Sequence, residues 1–140
     1  MFWKSCSTKL FFFSFVLFNQ EFTKDSFDSD FIFVTVGTPI SNRGNIDLSN
    51  IRKVSQVIAK NIKHVKTRPS IIIKSTVIPG TTLNVVKPIL EKNGLREGID
   101  FDLLTNPEFL KEGSAIQDTI CPHVTVIGGS SDNAIKKLVS

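Results

Sequence analysis

Cysteine and histidine are scarce in this sequence. Its 140 residues include two cysteines, Cys6 and Cys121, and two histidines, His64 and His123. The cysteines lie far apart, and no Cys-x-x-Cys or Cys/His spacing is present, so we expect no metal site. We expect the cysteines to have structural or incidental roles and the histidines to be solvated or to cap helices.

A continuous run of basic residues is also absent. The formal net charge is +4, but the lysines and arginines are spread between the apolar residues of helix-like stretches. Proteins that bind nucleic acids usually concentrate basic residues on one face, so we expect no nucleic acid partner. The sequence has no internal repeat, low-complexity segment or flexible linker. With 41% hydrophobic residues it can form one domain with one core.

No apolar run is long enough to span a bilayer as a helix, which takes about 20 residues. The run from Leu10 to Phe18 follows Lys4 and Lys9, as in a short signal peptide. No small-x-small cleavage site comes after it, however. We therefore expect a cytoplasmic protein without membrane attachment, although the signal-like run is compatible with export. A degraded or misassigned start, or a buried strand, is the interpretation of the run that we prefer.

What the sequence does contain is an alternation of short apolar runs with amphipathic stretches. The runs that are typical of buried strands are Phe31–Val36, Ser70–Lys74, Asp100–Thr105 and Val124–Ile127. Amphipathic stretches follow the possible N-caps Asp47, Thr81 and Ser131 or Asp132. Pro88 should kink or shorten the second of these stretches, and Gly94 should end it. Strands that alternate with helices predict an α/β fold, with a doubly wound parallel sheet covered on both faces.

Polar turns follow three of the predicted strands. They are Gly37-Thr38-Pro39, Lys74-Ser75-Thr76 and Thr105-Asn106-Pro107-Glu108. Each of these residue combinations is common in turns and alone indicates no function. The carboxyl ends of parallel strands share one edge, however, and open α/β sheets bind ligands at that edge. Glu108 and Glu112 would share a face of a helix that opens at Pro107, and they would repel each other unless a ligand or cation uses them. The sequence therefore predicts a site for a phosphate- or sugar-bearing ligand.

Three motifs, in this order, resemble the UDP-glucose/GDP-mannose 6-dehydrogenase family. They are Val36–Pro39, Lys74–Thr81 and Asn106–Ile116, followed by Asp118, Pro122 and Val126–Gly128. One motif would be a weak signal, whereas three in order at this spacing are specific. The resemblance runs from about Phe22 onwards. It divides the chain into an unmatched apolar segment, residues 1–21, and a partial NAD-binding domain, residues 22–140.

The resemblance implies an oxidoreductase that converts the C6 alcohol of a nucleotide sugar to a carboxylate. Two hydrides pass to NAD, and the intermediate is held as a thioester on a cysteine. We expect UDP-glucose as the substrate, which would give UDP-glucuronate, and GDP-mannose as the next choice.

The resemblance also assigns roles to individual residues. It places beside the NAD cofactor the residues Gly37, Thr38, Pro39, Ser75, Thr76 and Glu112. It places against the substrate the residues Glu108, Phe109, Leu110, Lys111 and Glu112. Thr76 and Glu108 form the implied catalytic pair, in which Glu108 is a general acid/base and both residues position the water that hydrolyses the thioester.

Two features of the family are missing from this sequence, namely the glycine-rich G-x-G-x-x-G loop and the cysteine nucleophile motif. Cys121 precedes the fourth predicted strand, and we do not expect it to be that nucleophile. The sequence therefore indicates a fragment, with an incomplete Rossmann-like sheet of about four strands and flanking helices, which is inactive alone. The alternative is a non-catalytic module that binds NAD or an intact paralogue. The family suggests a homo-oligomer, but we expect this chain to lack the dimerising segments.

Overall fold

The computed structural model describes residues 27–41, 44–110 and 113–140. The signal-like run, the predicted boundary at residue 21, and both Lys111 and Glu112 lie outside these ranges. The strands are β1 (Phe31–Val34), β2 (Ser70–Ile73), β3 (Asp102–Thr105) and β4 (Gly128–Gly129). The α-helices are α1 (Ser49–Asn61), α2 (Lys87–Lys92), α3 (Ala115–Ile120) and α4 (Asp132–Val139). A 3-10 turn, Ile62–His64, follows α1, and a π-helical turn, Thr82–Val86, precedes α2.

The strands form one sheet in the order β1-β2-β3-β4. The first three are parallel, with Ile71 of β2 aligned with Ile32 of β1 and with Leu103 of β3. β4 pairs with β3 in the antiparallel direction, with Gly128 opposite Thr105. The predicted α/β, Rossmann-like sheet of four strands with flanking helices is confirmed, and β4 makes the sheet mixed.

The position and direction of β4 differ from the prediction. The expected strand at Val124–Ile127 is not regular structure, and Val124 and Val126 are exposed. The pairing instead uses two glycines, because a Cβ on Gly129 would clash with the Leu104 side chain and lie 3.0 Å from the carbonyl oxygen of Leu103. Only a residue without a side chain lets the backbone approach β3 so closely.

Helix α1 forms where the periodicity predicted it. Ile51 and Ile58 face the core, whereas Arg52 and Lys53 are exposed. The N-cap residue is Leu48 and not the predicted Asp47, although the Asp47 carboxylate accepts a hydrogen bond from the backbone N–H of Ser49 at 2.8 Å. The helix holds an amphipathic face against the sheet.

The second helical region is interrupted at the predicted place. Pro88 has no backbone N–H to donate, and the helix near it divides into the π-helical turn and the short helix α2. Gly94 follows α2 with a φ of +82°, which suits glycine and ends the helix. Thr81 occupies the N-cap position of this region, as predicted, but its side chain makes no capping hydrogen bond.

The sheet is covered on both faces, as a doubly wound fold requires. Ile71 and Ile73 of β2 belong to the larger core cluster with Ile51 of α1 and Leu90 of α2. Ile72, which points to the other face, packs in a second cluster, whose other buried members are Leu104 and Ala134 of α4. Side chains that alternate along a strand thus fill two cores. Within the described ranges, no helix is long and apolar enough to cross a membrane.

Candidate functional site

The turns that follow β1 and β2 meet at the carboxyl edge of the sheet. The Ser75 hydroxyl donates to the carbonyl oxygen of Val36 at 2.7 Å, and Ser75 is buried. Parallel pairing brings these two strand ends side by side, and the buried hydroxyl ties them together. Ser75 therefore connects the two turns below the surface, because its buried hydroxyl donates to the backbone of the turn that follows β1.

A second hydrogen bond joins the same turns nearer the surface. The Thr38 hydroxyl donates to the carbonyl oxygen of Thr76 at 2.6 Å. The amide of Asn50, in the first turn of α1, donates to the carbonyl oxygen of Gly37 at 3.0 Å. We call the surface formed by Gly37, Thr38, Pro39, Ser75 and Thr76 the strand-end shelf. The structure thus brings together all the described residues that were predicted to lie beside the cofactor.

The shelf is open enough for the backbone to contact a ligand. Gly37 is exposed, and a Cβ built on it would meet nothing within 4 Å. Its φ does not require glycine, so the lack of a side chain leaves free space above the backbone. An extended ligand that lies across strand ends needs such space.

Asn106 links the end of β3 to both neighbours. Its backbone N–H donates to the carbonyl oxygen of Ile73 at 2.9 Å. Its side-chain oxygen accepts from the Lys74 ammonium at 3.3 Å, and its amide nitrogen donates to the carbonyl oxygen of Val126 at 2.8 Å. The Asn106 side chain therefore fixes the end of β2 against the segment that leads into β4.

A cavity of about 570 Å³ opens beside Asn106. The residues that line it are Lys74, Asn106, Pro107, Glu108, Phe109, Leu110, Asp118, Thr119, Pro122, His123, Val124 and Thr125. Its lining mixes apolar side chains with a few polar and charged ones, as small-molecule sites do. It therefore contains three of the residues predicted to contact the substrate, Glu108, Phe109 and Leu110.

The turn that carries Glu108 is not the start of a helix. Residues 106–110 adopt no regular secondary structure, so the predicted helix at Pro107 is wrong. The Glu108 carboxylate instead accepts from the backbone N–H of Leu110 at 2.7 Å. A carboxylate that bonds the backbone two residues ahead stabilises a turn and competes with helix formation. Phe109 and Leu110 are exposed on this turn.

The predicted catalytic residues lie on different turns of the same edge. Thr76 is exposed on the strand-end shelf, and Glu108 is exposed at the cavity. Within the described ranges, no hydrogen bond joins the two residues. The structure therefore places Thr76 and Glu108 on turns at the same edge of the sheet, and only Glu108 lines the cavity.

Of the described cysteine and histidine residues, His123 lines the cavity, whereas Cys121 and His64 do not. Cys121 is the C-cap residue of α3, and His123 is exposed and lines the cavity. His64 is exposed in the 3-10 turn after α1. Among the residues that the structure describes, no group of three or more His, Cys, Asp or Glu side chains could hold a metal ion.

A larger depression, about 870 Å³, lies near the amino ends of β2 and β3. Its charged groups bind one another: Lys87 pairs with Glu97 at 2.9 Å, and Arg68 pairs with Asp102. Burial raises the pKa of Glu97, but hydrogen bonds from Lys87 and Ser130 outweigh it and hold that pKa below its ordinary value. The paired charges hold chain segments together here, so the smaller cavity is the better candidate site.

Three features at or near the site were missed in the sequence. Asn106 and Lys74 stand inside recognised motifs, but their spacing gives no sign that their side chains bond to each other. Asn50 carries no signal at all, because an asparagine in the first turn of a helix is commonplace. Helix α3 was also missed; none of its residues is buried, and the Ser114 hydroxyl just before it donates to the Asp118 carboxylate at 2.8 Å.

The comparison with known protein families gives one match over most of the chain. Residues 10–140 match the UDP-glucose/GDP-mannose dehydrogenase family, NAD binding domain. The matched range contains every motif on which the resemblance rested.

Individual proteins show the same likeness. GDP-mannose 6-dehydrogenase from Pseudomonas aeruginosa is 44% identical over 109 residues, which is 77% of this chain and 25% of that protein. A UDP-glucose 6-dehydrogenase from Haloferax volcanii is 34% identical over 79% of this chain and 26% of that protein. The crystal structure of a ternary complex of the P. aeruginosa GDP-mannose dehydrogenase has a TM-score of 0.77 at 41% identity, covering 82% of this chain and 27% of that one. The chain therefore spans about a quarter of the length of these relatives.

Proposed function

Because this chain belongs to the UDP-glucose/GDP-mannose dehydrogenase family, within its NAD-binding domain, we propose that it contributes the strand-end shelf and Glu108 to the NAD-dependent oxidation of a nucleotide sugar at C6. The observation that carries the proposal is the hydrogen-bonded shelf of small residues across two parallel strand ends. The nearby cavity provides a place for the sugar.

The shelf suits the cofactor of this family. Gly37 offers backbone without a side chain, and the Thr38 and Thr76 turns are held in a fixed relation to it. A rigid, open surface at strand carboxyl ends is where doubly wound sheets take dinucleotides. NAD, when bound, accepts hydride from the sugar carbon. The residues of the chain itself orient the two ligands and limit the positions open to water.

Glu108 is the proposed general acid/base, and Thr76 is proposed to position the water with it. The Glu108 carboxylate faces the cavity while one oxygen accepts from the Leu110 N–H. Its other oxygen can take a proton from a water molecule or a sugar hydroxyl. The Thr76 hydroxyl, on the adjacent turn, supplies a second hydrogen-bonding group for that water. Phe109 and Leu110 are proposed to contact the sugar nucleotide, together with Lys111 and Glu112.

The choice of sugar nucleotide is the finer part of the proposal. The two 6-dehydrogenases described above, named for GDP-mannose and for UDP-glucose, are 44% and 34% identical to this chain. The sequence motifs led us to put UDP-glucose first. The greater identity supports testing GDP-mannose beside it, with both ligands titrated under the same conditions.

The cofactor site is tested by calorimetric titration of the purified chain with NAD. We expect the wild type to bind, and the Gly37→Ala variant to bind about tenfold more weakly, which is about 1.4 kcal/mol. The added methyl group has space in the protein and ordinary backbone angles, so the variant should keep the wild-type melting temperature. The expected loss of affinity would then come from contact with the cofactor.

Each result bears on a separate part of the proposal. A wild-type chain that shows no heat of binding at millimolar NAD contradicts cofactor binding by this chain. Equal affinities of wild type and Gly37→Ala contradict the role of Gly37 alone. If NAD binds but neither UDP-glucose nor GDP-mannose binds, even with NAD present, the chain acts as a cofactor-binding module only.

A further inference from the structure

Lys74 is a half-buried cation at the end of β2, and it lines the 570 Å³ cavity. Within the described ranges its ammonium forms one side-chain hydrogen bond, to the Asn106 amide oxygen at 3.3 Å. No carboxylate in those ranges lies within 4.0 Å of it, in contrast to Lys87 and Lys137, which both form ion pairs. A partly buried charge without a counter-charge is unfavourable and often marks a site that receives one.

The orientation of the Asn106 side chain is fixed by its other bond. The amide nitrogen must point toward the Val126 carbonyl oxygen, to which it donates at 2.8 Å. The amide oxygen is therefore turned toward Lys74, and it holds the ammonium beside the cavity. An ammonium has three N–H donors, so this bond leaves donors for a ligand in the cavity.

The carboxylates of the same cavity already have local partners. Glu108 accepts from the Leu110 N–H at 2.7 Å, and Asp118 accepts from the Ser114 hydroxyl at 2.8 Å. Both stabilise their own turns, and neither pairs with Lys74. Among the described lining residues, Lys74 is the only lysine or arginine.

We propose that Lys74, held by Asn106, forms an anion-binding corner of the cavity, which takes an anionic oxygen group of the ligand. A sugar carboxylate and a phosphate share this chemistry. The proposed function supplies both, because a nucleotide sugar carries a diphosphate and oxidation at C6 produces a carboxylate. The inference rests on that function only for the source of the anion.

The test is an NMR titration of the full 140-residue chain labelled with ¹³C in its lysines, because the signal of each lysine ε-carbon reports on the ammonium without changing its charge or its N–H donors. The Lys74 signal is assigned by its absence in Lys74→Arg. The probes are D-glucuronate, inorganic phosphate and the neutral D-glucose, at equal ionic strength. We expect the Lys74 signal to move in a saturable way with at least one of the two anions, and not with D-glucose.

The variants sharpen the test. Lys74→Met should weaken binding of the effective anion about tenfold, the effect of losing one charged hydrogen bond. Lys92→Met, which removes an exposed lysine on α2, should leave the affinity unchanged. Asn106→Leu removes the bond that holds the ammonium, and the Lys74 signal should then respond to the anion more weakly. Thermal unfolding of each variant separates loss of fold from loss of the corner.

The outcomes distinguish the anion source and the proposed function. A response to glucuronate alone assigns the corner to the sugar carboxylate, and a response to phosphate alone assigns it to the diphosphate. If neither anion moves the Lys74 signal, or if Lys92→Met weakens binding as much as Lys74→Met, the anion-binding corner is refuted. NAD titration is read separately, so failure of cofactor binding leaves this test intact.

Discussion

The Thr38 hydroxyl donates a hydrogen bond of 2.6 Å to the carbonyl oxygen of Thr76, 38 residues further along the chain. This bond crosses between the turns that follow β1 and β2. It adds to the Ser75 bond beneath it, so two hydroxyl groups hold the strand-end shelf in one shape. The relative position of Gly37 and Thr76, the proposed cofactor and water-positioning residues, follows from this pairing.

Removal of the Thr38 hydroxyl should loosen the shelf. Thr38→Val keeps the shape of the side chain and loses the donor, and the bond is solvent-exposed. We expect a loss of about 0.5–1 kcal/mol in the free energy of unfolding, measured by urea denaturation, together with weaker NAD binding. Thr38→Ser keeps the donor and is the control. If the Thr38→Val and Thr38→Ser variants bind NAD equally well, the Thr38 hydroxyl does not organise the shelf.

The close approach of β4 to β3 predicts strong sensitivity at Gly129. In Gly129→Ala the new methyl group would clash with Leu104 and crowd the carbonyl oxygen of Leu103. We expect destabilisation of about 1–3 kcal/mol, seen as a lower urea midpoint. Gly37→Ala, where the added methyl group meets open space, serves as the matched control. Similar midpoints for the two variants would show that β4 does not pack as described.

The N-cap of α4 gives a third prediction. The Ser131 hydroxyl accepts from the backbone N–H of Ala134 at 3.3 Å. Ser131→Ala should lower the free energy of unfolding by about 0.5–1 kcal/mol. Ser131→Asp should restore most of it, because aspartate also caps helices and its charge favours the helix N-terminus. If Ser131→Ala and Ser131→Asp have the same reduced free energy of unfolding, the loss has a cause other than capping.

The Lys87–Glu97 pair predicts a pH dependence of stability. The folded-state pKa of Glu97 lies below its ordinary value of 4.5. The stabilisation from its ionised form is thus fully present above pH 4.5 and is lost as the pH falls through the folded-state pKa. Glu97→Gln should therefore be less stable than wild type at pH 7, and the two should converge in strongly acidic buffer. Urea denaturation at pH 7 and at successively lower pH checks this.

The upper end of the titration reports on the other partner of the pair. The hydrogen bond and charge of Glu97 raise the pKa of Lys87 above its ordinary value of 10.5. Its contribution is present below pH 10.5 and is lost as the pH rises through the raised pKa. The acidic end of the titration provides the outcome that would contradict the role of the pair. That outcome is a difference in stability between Glu97→Gln and wild type that stays constant from pH 7 down to strongly acidic buffer.

Strand and helix periodicity was enough to predict β1, β2, β3, α1 and α4. Runs such as Ser70–Lys74 are apolar on both faces, and Ile71 and Ile72 do pack into separate cores. Their strand ends had to meet because neighbouring parallel strands share an edge. The strand-end shelf was therefore predictable, including the places of Gly37 and Thr76.

The segment after β3 was less predictable for a physical reason. Most of the described residues between Asn106 and Gly128 are exposed, so burial imposes no periodicity on this part of the sequence. Local hydrogen bonds decide its course, such as Glu108 to the Leu110 N–H and Asn106 to the Val126 carbonyl oxygen. Such bonds depend on side-chain direction, which spacing alone does not reveal. This is why a helix was expected at Pro107 and a strand at Val124.

Helix α4 follows all three parallel strands in sequence and covers the face that holds Ile72 and Leu104. During synthesis on a ribosome, that face stays exposed until α4 has left the exit tunnel. The Lys137 ammonium also bonds Asp30, 107 residues earlier, so the docking of α4 joins late and early parts of the chain. The second core therefore forms after the first, and until then the nascent chain presents an apolar sheet face to the factors that bind unfolded chains.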